Sequence, residues 1–148
     1  MRALLQRTSG ATVRVDGSEI AAIGQGLVIL LGVGHDDDAG VADALAERVA
    51  QLRIFRDEEG RTNRSLIDVR GEALVVSQFT LFADTSRGRR PGFTGAAGPD
   101  MAERLYQRFA NSRREHDIRV ETGRFGVEMA VELVNDGPFT IWLDTAER

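Results

Sequence analysis

The chain has 148 residues, 42% hydrophobic and 28% charged, with a formal net charge of −4. That size and balance describe one ordered domain and exclude both a disordered chain and a wholly basic nucleic-acid binder, though a local basic patch can still meet phosphate. All nineteen basic residues are arginine and there is no cysteine, which removes disulfides, thiolate metal sites, a cysteine nucleophile and a lysine Schiff base. No apolar run has the length of a membrane span, and Met1 to Arg7 lacks the apolar stretch and cleavage site of a signal peptide, so the expected compartment is the cytoplasm.

In chain order, the first 34 residues read as β-structure. Apolar and polar residues alternate over Ala11 to Val15, Asp16-Gly17 supplies a turn, and Ile20 to Ile23 follows before the Gly24-Gln25-Gly26 break. Leu27 to Leu31 is apolar on both faces, which predicts a central buried strand. The period then changes: Val41, Leu45, Val49 and Leu52 lie on one helical face, and Asp36, Asp37 and Asp38 read as a helix start in which one carboxylate caps free N–H groups. A magnesium site is the sharper reading of that triplet, and the cap is preferred. The Gly32-Val33-Gly34 stretch is not a dinucleotide loop, because the third glycine is missing and three carboxylates repel a pyrophosphate.

A short strand and turn are expected over Arg53 to Gly60, and another short strand over Leu66 to Val69. Leu74 to Phe82 reads as one strand. An Arg- and Gly-rich loop runs from Asp84 to Gly98, Pro99 opens a second helix, and Met101, Leu105 and Phe109 form its apolar stripe. Ile118 to Glu121, Val127 to Val134 and Phe139 to Leu143 complete the strands. The fold class is α+β, in a single domain over 1–148.

Two polar interruptions stand out inside apolar runs: Ser77-Gln78-Phe79-Thr80, and Asn135-Asp136-Gly137-Pro138-Phe139-Thr140 ahead of Ile141-Trp142-Leu143. Hydroxyls and amides are costly to bury unpartnered, so this placement suggests the lining of a cavity. On alternation alone Ser77 to Thr80 is an ordinary strand; Gln78 and Thr80 share one face, and the four side chains line one pocket only if the strand bends. With MRALLQR, LRIFRDEEGR and VETGRFGVEM, these segments resemble the D-aminoacyl-tRNA deacylase family nearly end to end. The family's Ser-Gln-x-Thr stretch is met by Ser77, Gln78 and Thr80, and its Asn-x-Gly-Pro-x-Thr stretch by Asn135, Gly137, Pro138 and Thr140.

The resemblance implies largely antiparallel sheets forming a barrel-like core with two amphipathic helices packed on it. It implies a homodimeric hydrolase of aminoacyl-tRNA that needs no metal and no cofactor. In that reading Gln78, Phe79 and Thr80 are catalytic, while Ser77, Asn135, Gly137, Pro138 and Thr140 bind substrate and select its hand. The Gly137–Pro138 bond is cis and enters the partner's pocket, so that L side chains are excluded sterically whatever their chemistry, and D-amino acids and glycine are accepted. Arg87, Arg89 and Arg90 are candidates for RNA phosphate, with a solvated loop as the equal alternative. Phe125 and Met129 either bound a pocket for the terminal adenine or are core. One departure from the family pattern is Gly92, where serine is the commoner residue.

The residues themselves offer no side-chain triad. No Gly-x-Ser-x-Gly elbow exists, and the two histidines, His35 beside the acidic triplet and His116 near a helix end, read as surface or capping groups. An aminoacyl ester is already activated and carries a neighbouring ribose 2′-hydroxyl, so position and backbone N–H donors, with Phe79 and Thr80 as suppliers, can carry hydrolysis. Two other readings stay open: a noncatalytic RNA-binding module that uses the arginine loop, and an esterase with Thr80 as covalent nucleophile, for which no base is visible.

Overall fold

The computed structural model describes residues 1–115 and 118–147; the reading of His116 lies outside them. In chain order the elements are β1 (Arg2–Val15), β2 (Ser18–Ile23), β3 (Gly26–Gly32), α1 (Ala39–Gln51), β4 (Phe55–Arg56), β5 (Thr62–Arg64), β6 (Glu72–Ser77), a 3-10 turn (Phe79–Phe82), α2 (Pro99–Arg114), β7 (Val120–Thr122) and β8 (Ala130–Asp144). Alternation along β1 buries Ala3, Leu5, Ala11, Val13 and Val15. Asp16 and Gly17, both at positive φ, make the tight turn that the Asp-Gly pair predicts and return the chain into β2.

β3 pairs antiparallel with β1 and parallel with β6, and β7 lies parallel on the far side of β6. β8 runs antiparallel along the other edge of β1. The result is a mixed, largely antiparallel sheet, nearly closed as a barrel, with β4 and β5 as a separate hairpin. Leu27, Ile29 and Leu31 of β3, with Ala73 and Val75 of β6, pack on one face beneath α1 and α2. Val28, Leu74 and Val76 pack on the other face against Ala11, Val13, Ala21 and Ile23. Burial on both faces is why the run Leu27 to Leu31 shows no alternation.

Asp38 caps α1, accepting the Val41 N–H at 2.9 Å, while Asp37 takes the Gly34 N–H at 2.6 Å and the α-amino group of Met1 at 2.5 Å. α1 buries Ala42, Leu45, Ala46, Val49 and Ala50, and Val41 and Leu52 lie at the margin of that stripe. α2 begins at Pro99 and buries Leu105, Tyr106 and Phe109. Among the described residues no helix is long and apolar enough to cross a membrane.

Several expected strands differ from the structure. Leu66 to Val69 turns, because the Asp68 carboxylate accepts the Ser65 N–H at 2.8 Å and the Ser65 hydroxyl accepts the Asp68 N–H at 3.1 Å, and local side-chain hydrogen bonds displace a ladder. The run Leu74 to Phe82 leaves the sheet at Ser77 and continues as the 3-10 turn. Val127 precedes β8, which starts at Ala130 and takes in both the Val131 to Val134 and Phe139 to Leu143 runs.

The end of β8 supplies a test of the electrostatics. Asp144, 8% exposed, accepts hydrogen bonds from Arg2 Nε at 2.8 Å and the Ala146 N–H at 2.9 Å. Burial pushes its carboxyl up, but those hydrogen bonds and the positive charge nearby outweigh it and hold it below the usual carboxylate range. A depressed Asp contributes stability that is full above its unfolded value of about 3.9 and disappears as pH falls through the folded value. Asp144→Asn is therefore expected to lower the urea midpoint at pH 7 and to flatten its decline below about pH 4, measured by unfolding across that range.

Candidate active site

β6 delivers Ser77 to the edge of the sheet, where the Gln78 N–H still bonds the Leu31 carbonyl at 2.8 Å, and the chain then tightens into the turn Phe79–Phe82. This bend resolves the facing problem that alternation poses. Ser77, Gln78, Phe79 and Thr80 all line one open groove of about 1200 Å³, whose apolar floor includes Leu31, Val33 and Val76. The opening N–H groups of a helical turn have no partner within it, and among the described residues no acceptor meets those of Phe79 and Thr80. The Gln78 amide hydrogen-bonds the Thr80 hydroxyl.

Phe125 and Met129 line the same groove, half-buried. Behind Phe125 stands Tyr106, ring centroids 5.9 Å apart, whose hydroxyl donates to the Val75 carbonyl at 2.9 Å; burial pushes its pKa up to about 12. The arginine loop reaches the groove through Phe93, whose ring meets that of Phe79 edge-on at 5.0 Å. Backbone bonds between Asp84 and Gly92, at 2.7 and 2.9 Å, close the loop, and His35 Nε2 donates to the Thr94 carbonyl. Arg87, Arg89 and Arg90 are exposed and outside the groove lining. A Cβ on Gly92 would point into open space, so the departure there needs no compensating change.

The second motif lies elsewhere. In the β1–β8 ladder, Gln6 pairs with Thr140 and Thr8 with Asn135, so residues 136–139 bulge out opposite Arg7 alone. The bulge is stapled at its base: Asn135 Oδ1 accepts the Phe139 N–H at 2.8 Å and its Nδ2 donates to the Thr140 hydroxyl at 2.9 Å. At the tip the Gly137–Pro138 bond is cis, and both residues are exposed. Gly137 has φ +138°, and a Cβ there would stand 3.0 Å from Arg7 Nη2 and from the Phe139 nitrogen, so a side chain at this position would be strained and crowded. None of Asn135, Gly137, Pro138 and Thr140 lines the groove of its own chain.

The family model described as D-Tyr-tRNA(Tyr) deacylase matches residues 4–144. The chain belongs to the D-Tyr-tRNA(Tyr) deacylase family. It is therefore a hydrolase. It is 58% identical over 147 residues to the D-aminoacyl-tRNA deacylase of Thermomicrobium roseum, covering 99% of this chain and 96% of the relative. It is 61% identical over 145 residues to that of Dinoroseobacter shibae, covering 97% and 99%. Among solved structures, the c-Myc DNA Unwinding Element Binding Protein superposes with a TM-score of 0.92 at 36% identity, covering 98% of this chain and 99% of that one.

Sequence reasoning overlooked Arg7. It falls in phase with Ala3 and Leu5, so the alternation of β1 was itself the signal that this charge points inward. Only 3% exposed, it donates from Nη1 to the Ile54 carbonyl at 2.7 Å and from Nε to the Asp136 carbonyl at 3.0 Å, and lies 4.6 Å from the Phe139 ring centroid. Burial and the neighbouring Arg56 lower its pKa, and Asp136 partly offsets them. Arg14, Asp16 and Glu128, which also line the groove, were overlooked as well. Arg7→Ala leaves two carbonyls without donors and is expected to cost about 3 kcal/mol, read from urea unfolding, with faster amide exchange at Phe139.

Proposed function

We propose that the protein hydrolyses the ester of D-aminoacyl-tRNA, and of glycine mischarged on tRNA, releasing free amino acid and intact tRNA. The observation that carries this reading is the groove in which Ser77, Gln78, Phe79 and Thr80 converge beside unengaged backbone N–H groups. An ester carbonyl placed there would receive two main-chain donors as charge develops on its oxygen, and the substrate's own 2′-hydroxyl would help to deliver water or take up the proton. Phe125 and Met129 would bound the terminal adenosine, leaving the amino acid toward the turn. The exposed arginines at 87, 89 and 90 would follow the phosphates beyond the groove. Chain 1–148 would act as one such domain in the cytoplasm, where charged tRNA is found.

Selection of hand would come from Gly137 and Pro138. Their loop is exposed, stapled by Asn135 and backed by Arg7, yet absent from its own chain's groove. A rigid main-chain wedge of this kind suits the groove of a second copy, in a homodimer. Set against the substrate's Cα, it would clash with an L side chain and leave room for a D side chain or a hydrogen.

Deacylation of D-tyrosyl-tRNA beside the L form tests the reading: loss of the D ester alone is expected, and intact ester in both samples would favour a noncatalytic RNA-binding module. In the same assay Thr80→Ala is expected to retain activity within roughly tenfold, since losing a covalent nucleophile costs on the order of 10⁴-fold or more. Replacing the terminal adenosine by its 2′-deoxy form is expected to slow single-turnover hydrolysis by about 10²-fold or more, with little change in tRNA binding.

A further inference from the structure

The turn Phe79–Phe82 has none of its residues buried, and Gln78 before it makes no side-chain cap to the backbone. Groups outside the turn hold it: Phe93 packs on Phe79 at its start, and at its other end one side chain donates a hydrogen bond to it. Arg2 Nη1 donates to the Leu81 carbonyl at 2.9 Å, the only side-chain hydrogen bond to the turn from outside residues 78–82 among the described residues. The same guanidinium lies 4.5 Å from the Phe82 ring centroid and 5.7 Å from that of Trp142, while its Nε donates to Asp144 at 2.8 Å. One planar fork thus joins β1, the turn and β8. Phe82, the ring it covers, rests against Gly32 and Gly34 at the end of β3.

We propose that Arg2 is a positioning residue for hydrolysis, holding the turn that carries Phe79 and Thr80 in register with the groove. The assignment rests on the catalytic reading of that turn given above. Arg2 does not touch substrate, because it is not part of the groove lining. Its effect is geometric: its fork fixes the carbonyl of Leu81 and the ring of Phe82, and the turn is too short to keep its own direction once that end is released. Donors that act only as charge develops at the transition state are sensitive to small displacements, so kcat and not KM should register the loss. Lysine is a poor substitute, since a point charge cannot serve Leu81 and Asp144 together while packing against the two rings.

The test is deacylation of D-tyrosyl-tRNA by wild type, Arg2→Ala and Arg2→Lys, with thermal melts and amide spectra of each. Arg2→Ala is expected to lower kcat by roughly 10- to 100-fold with KM within about twofold, and Arg2→Lys to fall between. The amide signals of Phe79 and Thr80 should move in both variants, ahead of any loss in melting temperature. Unchanged kcat with unmoved amides overturns the assignment, and so does a raised KM at constant kcat, which would make Arg2 a binding group. If Arg2→Ala does not fold, Arg2→Lys carries the same readings. A wild type that leaves the D ester intact defeats the functional reading alone, while the amide signals still decide the role of Arg2.

Discussion

Backbone hydrogen bonds occupy both edges of β1, with β3 and then β2 along one edge and β8 along the other, so the strand has little freedom to shift. Its register is fixed further by alternation, since a slip of one residue would turn Ala3, Leu5, Val13 and Val15 away from the core. Where the β8 edge contains more residues than β1 can match, the surplus has to leave the ladder. It leaves as residues 136–139, and Arg7 fills the space beneath. The exposed Gly137–Pro138 tip is thus a consequence of unequal strand lengths between two fixed pairings, Gln6 with Thr140 and Thr8 with Asn135.

The same strand reaches the first motif from its other end. Arg2 and Arg7 stand five residues apart on β1, one bonded to the Leu81 carbonyl and the other to the Asp136 carbonyl. Each uses a planar fork to hold backbone that has left regular structure, a task for which arginine's several donors suit it better than lysine's single ammonium. The two polar motifs are remote in sequence and separate in space within one chain, yet both are referred to one rigid strand. In the homodimer proposed above, that common reference would set the distance at which the wedge of one chain could meet the groove of the other.

Much of this was legible in the residues. The apolar run Leu27 to Leu31 marks the central strand, Asp16-Gly17 the hairpin, and the acidic triplet Asp36 to Asp38 and Pro99 the helix starts, while the first polar interruption falls on residues that line the groove. The 3-10 turn was not legible, because Phe79, Leu81 and Phe82 fit a strand equally well and the arginine that bonds the Leu81 carbonyl lies 79 positions away in sequence. Leu66 to Val69 misled for a related reason: reciprocal bonds between Ser65 and Asp68 overrule the strand preference of the apolar residues between them. Arg2, out of phase with the buried positions of β1, gave no sign that it would lie between Phe82 and Trp142.

The division between what side chains and main chain do follows from these constraints. A pocket that must accept many side chains on one hand, and none on the other, cannot rely on complementarity to any side chain, so its discriminating surface has to be something every substrate shares and approaches closely. Only the backbone around Cα meets that condition. Backbone can serve as such a surface only when held by groups outside the pocket, as Asn135 and Arg7 hold residues 136–139. On the reading proposed above, the polar groups that brace the bulge and the turn would set the geometry at which main-chain atoms meet the substrate, and the groove itself could stay largely apolar and open.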